Sequence, residues 1–214
     1  MSKRKKKMII KVCGLKDDNQ IFQLDQLPAV NWLGSIFYEK SKRYVPSCSK
    51  FITSSKKVGV FVNDIMTNIV EKAESNKLDI LQLHGSESPE ECLNLKQFYT
   101  VVKAFGIDEN FDFNQLKKFE STVDYFLFDT KTILHGGSGK RFNWELLKQY
   151  NLSVPFLLSG GINPSSVQDL LNFKHSSFAG IDLNSGFENE PADKNIEKIK
   201  NFIEDLTKVT VQNI

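Results

Sequence analysis

Short apolar runs recur along the whole chain, and most stop at a polar or reactive residue that leads into a glycine or a turn. The run 8–13 ends in Cys13-Gly14, 58–63 in Asn63-Asp64, 79–84 in His84-Gly85 and 125–129 in Asp129-Thr130. The run 155–159 continues into Gly160-Gly161, and 178–184 into Ser185-Gly186. Helical patterns fill the intervals. Strands alternating with helices make βαβ units and so a parallel sheet. Reactive residues at the C-terminal ends of many strands then point to one α/β fold, a single-domain TIM-type (β/α)8 barrel with its site on that face.

Side-chain parity agrees. Successive residues of a strand point to opposite faces. Ile10 and Val12 therefore share one face, and Lys11 and Cys13 the other. Leu81 and Leu83 oppose Gln82 and His84; Phe126 and Phe128 oppose Asp129; Ile181 and Leu183 oppose Asp182 and Asn184. An open sheet covered by helices on both sides would be apolar on both faces. One apolar and one polar face suits a barrel whose lumen becomes polar toward one mouth. Lys11, Lys103 and Asp182 are expected inside the barrel as structural ion pairs, since buried charges must be paired.

At 214 residues the chain is short for such a barrel, and no linker or change of composition divides it. One domain over 8–214 is expected, preceded by a basic tail, 1–7, that reads as disordered and solvated. A net charge of +2 argues against a general nucleic-acid binder. The apolar run after the tail is too short for a membrane span. Three cysteines, Cys13, Cys48 and Cys92, without metal-type spacing suggest a reduced, cytoplasmic setting and no metal site. A monomer or homodimer is expected, with no nucleic-acid or membrane partner.

Finer signals place the connections. Ser88-Pro89-Glu90-Glu91 predicts a capped helix start, and Asn163-Pro164 a second. Helices are also expected over 19–27, 47–54, 65–76, 113–119 and 143–150, and a last one carries Ile196, Ile199, Phe202, Ile203 and Leu206 on one stripe. Three glycine-bearing loops follow the late strands: Gly136-Gly137-Ser138-Gly139, Ser159-Gly160-Gly161 and Asn184-Ser185-Gly186. Barrels often bind phosphate with the loops after strands seven and eight. Glycine lets the backbone approach an anion closely, and free N–H groups attract it. A phosphorylated small molecule is the expected ligand.

Several of these segments together resemble the phosphoribosylanthranilate isomerase family of tryptophan biosynthesis. They are Lys11-Val12-Cys13-Gly14-Leu15, Gly59-Val60-Phe61-Val62-Asn63, Leu81-Gln82-Leu83-His84-Gly85 and Phe128-Asp129-Thr130. The series continues with Gly136-Gly137-Ser138-Gly139-Lys140-Arg141-Phe142-Asn143-Trp144, Leu158-Ser159-Gly160-Gly161-Ile162 and Gly180-Ile181-Asp182-Leu183-Asn184-Ser185-Gly186-Phe187-Glu188. The resemblance covers nearly the whole chain in order. It implies an Amadori rearrangement of N-(5-phosphoribosyl)anthranilate to 1-(2-carboxyphenylamino)-1-deoxyribulose 5-phosphate, with no metal or organic cofactor.

The resemblance also implies roles. Asp129 would be the general acid that protonates the ribose ring oxygen, and Cys13 the base that takes a proton from C2′. Arg43 would pair with the anthranilate carboxylate, which suits a planar, two-pronged cation. Gly137, Gly160, Gly161, Asn184, Ser185 and Gly186 would line the substrate's phosphate end. His84 would either line the site or serve as a hydrogen-bonded structural histidine. The chain departs from the family at Lys16, Lys42, Ala192 and Asn195, where threonine, proline, glycine and aspartate are usual. Two other readings stay open: the related aldose-ketose isomerase of histidine biosynthesis, which ends its first strand with a carboxylate base, and a catalytically silent barrel used as a binding scaffold.

Overall fold

Eight strands close into a parallel barrel in chain order: β1 (Ile9–Cys13), β2 (Val30–Ile36), β3 (Lys56–Phe61), β4 (Ile80–Leu83), β5 (Thr100–Ile107), β6 (Tyr125–Thr130), β7 (Phe156–Leu158) and β8 (Phe178–Leu183). Strand β1 pairs with both β2 and β8, which completes the circle. This computed structural model describes residues 8–131 and 141–212. The basic tail and the Gly136–Gly139 loop, with Gly137, lie outside the described residues. Among those described, no helix is long and apolar enough to cross a membrane.

Alternation sorts the strand residues into two cores. Outward-facing Ile10, Val12, Leu33, Leu81, Leu83, Phe126, Phe128, Leu158 and Ile181 belong to the large cluster between sheet and helices. Inward-facing Trp32, Val58, Ile80, Val102, Ala104, Leu127 and Leu157 fill the lower lumen as a separate cluster, joined by Ile9 and Tyr125. Trp32 and Tyr125 meet edge to face there, 5.3 Å between centroids. Each fully buried valine, leucine or isoleucine among them contributes roughly 1.5–3 kcal/mol through burial. The lower lumen is thus a packed plug, and open chemistry is confined to the upper mouth.

Above the plug the lumen turns polar. Lys11 Nζ donates to both carboxylate oxygens of Asp182 at 3.0 Å, and both side chains are almost fully buried. Gly34 makes room: a Cβ there would lie 3.0 Å from Cys13 Sγ and 3.2 Å from Lys11 Cε. Lys103 departs from expectation. Its strand neighbours Val101 and Phe105 belong to the outer cluster, whereas Val102 and Ala104 belong to the inner one. Lys103 accordingly points outward and pairs with Glu87 at 3.2 Å beneath the loop after β4, donating also to Gly85 O at 2.7 Å.

The connecting layer is uneven. Regular helices α1 (Asp18–Asp25), α2 (Met66–Asn76), α3 (Pro89–Lys96), α4 (Val167–Asn172) and α5 (Ile196–Gln212) follow β1, β3, β4, β7 and β8. The Ser88 capping box opens α3 with Pro89 in its first turn, and Asn163-Pro164 opens a short 3-10 turn that runs into α4. Asn195 caps α5 by accepting from Lys198 N–H at 2.9 Å, so its amide does what an aspartate would do there. After β5 and β6 the expected helices are 3-10, Phe113–Phe119 and Trp144–Gln149. Aromatic rings cover the barrel wall in that sector: Phe105 meets Phe111, Phe119 and Phe126, and Phe128 meets Phe113, Tyr150 and Phe156. Large rings cover a strand with few residues, which compensates for the short connectors.

The helix expected over 47–54 does not form. Asp25 accepts from the backbone N–H of Ser54 at 2.9 Å and of Ser55 at 2.8 Å, and Thr53 Oγ1 donates to Ser55 O. Serine, threonine and aspartate side chains offer the backbone these partners in place of helical ones, and here they win.

The buried pair across the barrel seam gives a stability prediction. Asp182→Leu would strand the Lys11 ammonium and cost about 3–5 kcal/mol, while Lys11→Met with Asp182→Leu would recover most of that loss. Urea unfolding of the two variants checks this; a double variant as unstable as the single one would overturn it.

Candidate active site

Two titratable groups face the upper mouth, half-buried Asp129 at the end of β6 and buried Cys13 at the end of β1. Asp129 Oδ1 accepts the N–H of Thr130 at 2.7 Å. Gly160 lies directly against it: with φ at +76°, a Cβ would sit 2.5 Å from Asp129 Oδ1 and 2.4 Å from Thr130 Oγ1. Only glycine satisfies both that backbone and that approach. Burial pushes the Asp129 carboxyl up to about 6, with the Asp182 charge adding and Thr130 N–H and Lys11 opposing. A carboxyl in that range is partly protonated near neutrality and can give up a proton.

Cys13 is 3 % exposed. Burial pushes its thiol above the ordinary value, while the Lys11 and Lys194 ammonium groups pull the other way. Desolvation outweighs those charges. The resting group is a thiol, and the small thiolate fraction is correspondingly basic.

His84 joins this rim. Its Nε2 lies 3.6 Å from Asp129 Oδ2, and its Nδ1 is 3.1 Å from the Gln82 side-chain nitrogen. With the amide so assigned, Gln82 donates to Nδ1, which leaves Nε2 as the protonated nitrogen facing Asp129. The parity of β4 places both side chains in the lumen.

Arg43 reaches the mouth from the loop after β2. That loop folds back on its strand: Tyr44 bridges Ile36, and Val45 N–H donates to Ile36 O at 2.9 Å. The arginine stem crosses Gly14, where φ is +77° and a Cβ would lie 2.5 Å from Arg43 Cδ. Its guanidinium grips Glu188 with two prongs, Nε to Oε1 at 2.8 Å and Nη2 to Oε2 at 2.5 Å. Glu188 also pairs with the fully buried Lys194, whose Nζ donates to Asn184 Oδ1 at 2.8 Å. Hydrogen bonding to Arg43 and the charges of both cations outweigh burial and hold the Glu188 carboxyl below its usual range.

The late loops meet as a pair. Gly160 and Gly161 have consecutive positive φ values, +76° and +68°. Ser185 opens the 3-10 turn Ser185–Phe187 after β8. A Cβ on Gly186 would lie 2.2 Å from Ile162 O, so the loop after β8 presses against the loop after β7. Gly160, Gly161, Asn184, Ser185 and Gly186 are thereby brought to one sector of the mouth beside Asp129. A small hairpin, β9 (Glu188–Glu190) with β10 (Asp193–Lys194), follows and turns through Ala192 at φ +76°. This is where the family usually has glycine, and alanine carries the strain of that conformation.

Sequence reasoning gave no part to Glu188 and Lys194. Glu188 stands 145 residues from Arg43, and no local pattern announces such a pairing. The one available signal is a carboxylate six positions before a lysine at a strand-end loop.

A family model described as N-(5′-phosphoribosyl)anthranilate isomerase matches residues 10–205. The N-(5′-phosphoribosyl)anthranilate isomerase of Parabacteroides distasonis is 51% identical over 213 residues, with 96% of each chain covered. Among solved structures, a phosphoribosyl anthranilate isomerase in complex with reduced 1-(o-carboxyphenylamino)-1-deoxyribulose 5-phosphate is similar, with a TM-score of 0.77, 27% identity and 94% and 99% of the two chains covered. A monomeric form of the dimeric enzyme from Thermotoga maritima gives a TM-score of 0.73, 27% identity and 94% and 98% coverage. With the barrel, its polar mouth and these matches in agreement, the chain belongs to the N-(5′-phosphoribosyl)anthranilate isomerase family.

Proposed function

We propose that the protein converts N-(5-phosphoribosyl)anthranilate to 1-(2-carboxyphenylamino)-1-deoxyribulose 5-phosphate, with Asp129 as acid and Cys13 as base. The observation that carries the assignment of roles is the pairing of a carboxyl raised to about 6 with a buried thiol flanked by two ammonium groups, on one rim. Asp129 gives its proton to the ribose ring oxygen, the C1′–O bond breaks, and the anthranilate nitrogen's lone pair forms the iminium. The Cys13 thiolate then takes the C2′ proton, and the C–H electrons make the enolamine. Ketonisation completes the isomerisation. Gly160, Gly161, Ser185 and Gly186 hold the phosphate, and Arg43 reads the aryl carboxylate. His84 Nε2 steadies Asp129 from the side. The 3.6 Å approach of Nε2 to Asp129 Oδ2 favours this over a purely structural histidine.

Family membership and a thiol at the end of β1 favour this reaction over the histidine-pathway isomerase and over a silent scaffold. The reading needs no partner chain, so it holds for a monomer or a homodimer. A turnover assay with N-(5-phosphoribosyl)anthranilate tests it directly, and absence of turnover by folded protein would refute it.

The protonation states dictate an unusual pH profile. Catalysis needs Asp129 protonated and Cys13 ionised, although the acid titrates at about 6 and the thiol well above it. Below pH 6 the acid is already protonated, and the thiolate falls about tenfold per unit. Between the two values the gain in thiolate cancels the loss of protonated acid, so kcat/KM is level. Above the thiol's value only the loss of acid remains, and the rate falls. The bend near pH 6 should vanish in Asp129→Asn, whose residual rate, ~10²–10⁴-fold lower, climbs until the thiol has titrated. The same bend in the variant would exclude Asp129 as its source.

Two of the cysteines should separate cleanly. Cys13→Ala should lower kcat/KM by ~10²–10⁴-fold with little change in unfolding midpoint. Cys92 sits buried in the outer core with its thiol pushed up to about 12, so Cys92→Ala should lower stability and spare turnover. Turnover by Cys13→Ala near that of the wild type would show that another group is the base.

A further inference from the structure

Glu188 makes more contacts at the mouth than any role so far requires. One of its oxygens accepts from Arg43 Nε at 2.8 Å and from the backbone N–H of Ala192 at 3.1 Å, and is the atom paired with Lys194. The other accepts from Arg43 Nη2 at 2.5 Å and from Nε at 3.1 Å. Its side chain is 4 % exposed and that of Lys194 is 0 % exposed, whereas Arg43 is 13 % exposed. The carboxylate is therefore a fixed part of the wall, and the arginine is the member of the trio that still faces the mouth.

The geometry of a guanidinium gives this contact a meaning. Arginine carries five N–H donors in a plane, arranged as two usable edges. Glu188 takes the edge formed by Nε and Nη2. Nη1 and the second hydrogen of Nη2 make up the other edge, and Nη1 makes no hydrogen bond to a described residue. An arginine gripped along one edge cannot rotate about its long stem without breaking two charge-assisted bonds. Its remaining edge keeps one direction, and that edge is again a two-pronged match for a carboxylate.

The anchor is itself anchored. Lys194 holds Glu188 from behind and donates to Asn184 Oδ1 at 2.8 Å. Asn184 borders the Ser185-Gly186 turn proposed for the phosphate. Its Oδ1 would also lie 2.9 Å from a Cβ on Gly14, the residue that Arg43 crosses. A chain of contacts thus runs from Arg43 through Glu188 and Lys194 to the end of β8.

We propose that Glu188 is a positioning residue for aryl-carboxylate selectivity: it occupies one edge of Arg43, aims the other into the mouth, and through Lys194 fixes that edge relative to the phosphate turn after β8. The proposal rests on the reading of Arg43 as the carboxylate reader. It adds that Arg43 alone is insufficient, because a free arginine on this loop would sample directions that miss a ligand already held by its phosphate.

The test measures inhibition by two product analogues, both phosphorylated, one with and one without the aryl carboxylate. It compares wild type, Glu188→Gln, Glu188→Asp and Arg43→Ala, together with steady-state kinetics. Wild type should prefer the carboxylated analogue. Arg43→Ala should lose most of that preference. Glu188→Gln should lose roughly 10- to 100-fold of it, the scale of a misaimed contact, while affinity for the analogue lacking the carboxylate stays within about twofold. KM should rise more than kcat falls. Glu188→Asp keeps the negative charge that Lys194 needs but withdraws it from Arg43, so it should fold even if Glu188→Gln does not, and should show the same selective loss. Wild-type preference in Glu188→Asp, with the preference lost in Arg43→Ala, would overturn the proposal and leave the carboxylate reading intact. Preference retained in Arg43→Ala would overturn both. Equal weakening toward both analogues in the Glu188 variants would show a general structural role and also overturn the proposal.

Discussion

Lys11 and Asp182 stand opposite one another where β1 meets β8, the last ladder needed to close the barrel. Much of the mouth depends on that pair. Two opposite charges deep in the lumen are tolerable only because they satisfy each other with two short hydrogen bonds. Once in place, they set the electrical surroundings of everything above them. The ammonium group draws the Cys13 thiol toward ionisation and the carboxylate discourages ionisation of Asp129. One pair thus pushes a thiol and a carboxyl in the opposite directions that the proposed roles require, although burial sets where each begins.

Taken together, the charged groups around Cys13 comprise three cations, Lys11, Arg43 and Lys194, and two anions, Asp182 and Glu188. With Asp129 protonated and Cys13 a neutral thiol, these groups carry an excess of one positive charge. That excess suits a ligand bearing a carboxylate at one end and a phosphate at the other. It also explains how so many buried charges coexist: all but one unit is neutralised by fixed contacts.

The fold was legible because a barrel imposes two periodicities at once, alternation within strands and recurrence between them. The parity that put Ile10 and Val12 outward and Lys11 and Cys13 inward follows from strand geometry alone. Legibility ended where long-range pairing decided the outcome. Lys103 lies on the outer side of β5, and its partner Glu87 belongs to another loop. The segment 47–54 has helical spacing, yet Asp25 takes its backbone donors from outside. At the site, Cys13 and Asp129 could be named because they end strands and lie within recognisable motifs. Their acidities could not be, since burial depends on every neighbour. Glu188 was visible as a letter, but its meeting with Arg43 exists only after the barrel has closed.

The uneven shell has a consequence for motion. Strand β1, which carries Cys13, is backed by regular helices α1 and α5, and their i→i+4 bonds hold those connections firmly. Strand β6, which carries Asp129, lies between 3-10 segments whose hydrogen bonds are fewer and poorer in geometry. Local opening is cheapest where backbone bonding is weakest, so amide hydrogens of Phe113–Phe119 and Trp144–Gln149 exchange sooner than those of α1 or α5. The mouth is then hung between a stiff side and a yielding one. The aromatic rings packed along the yielding side keep the wall covered while those two short segments open.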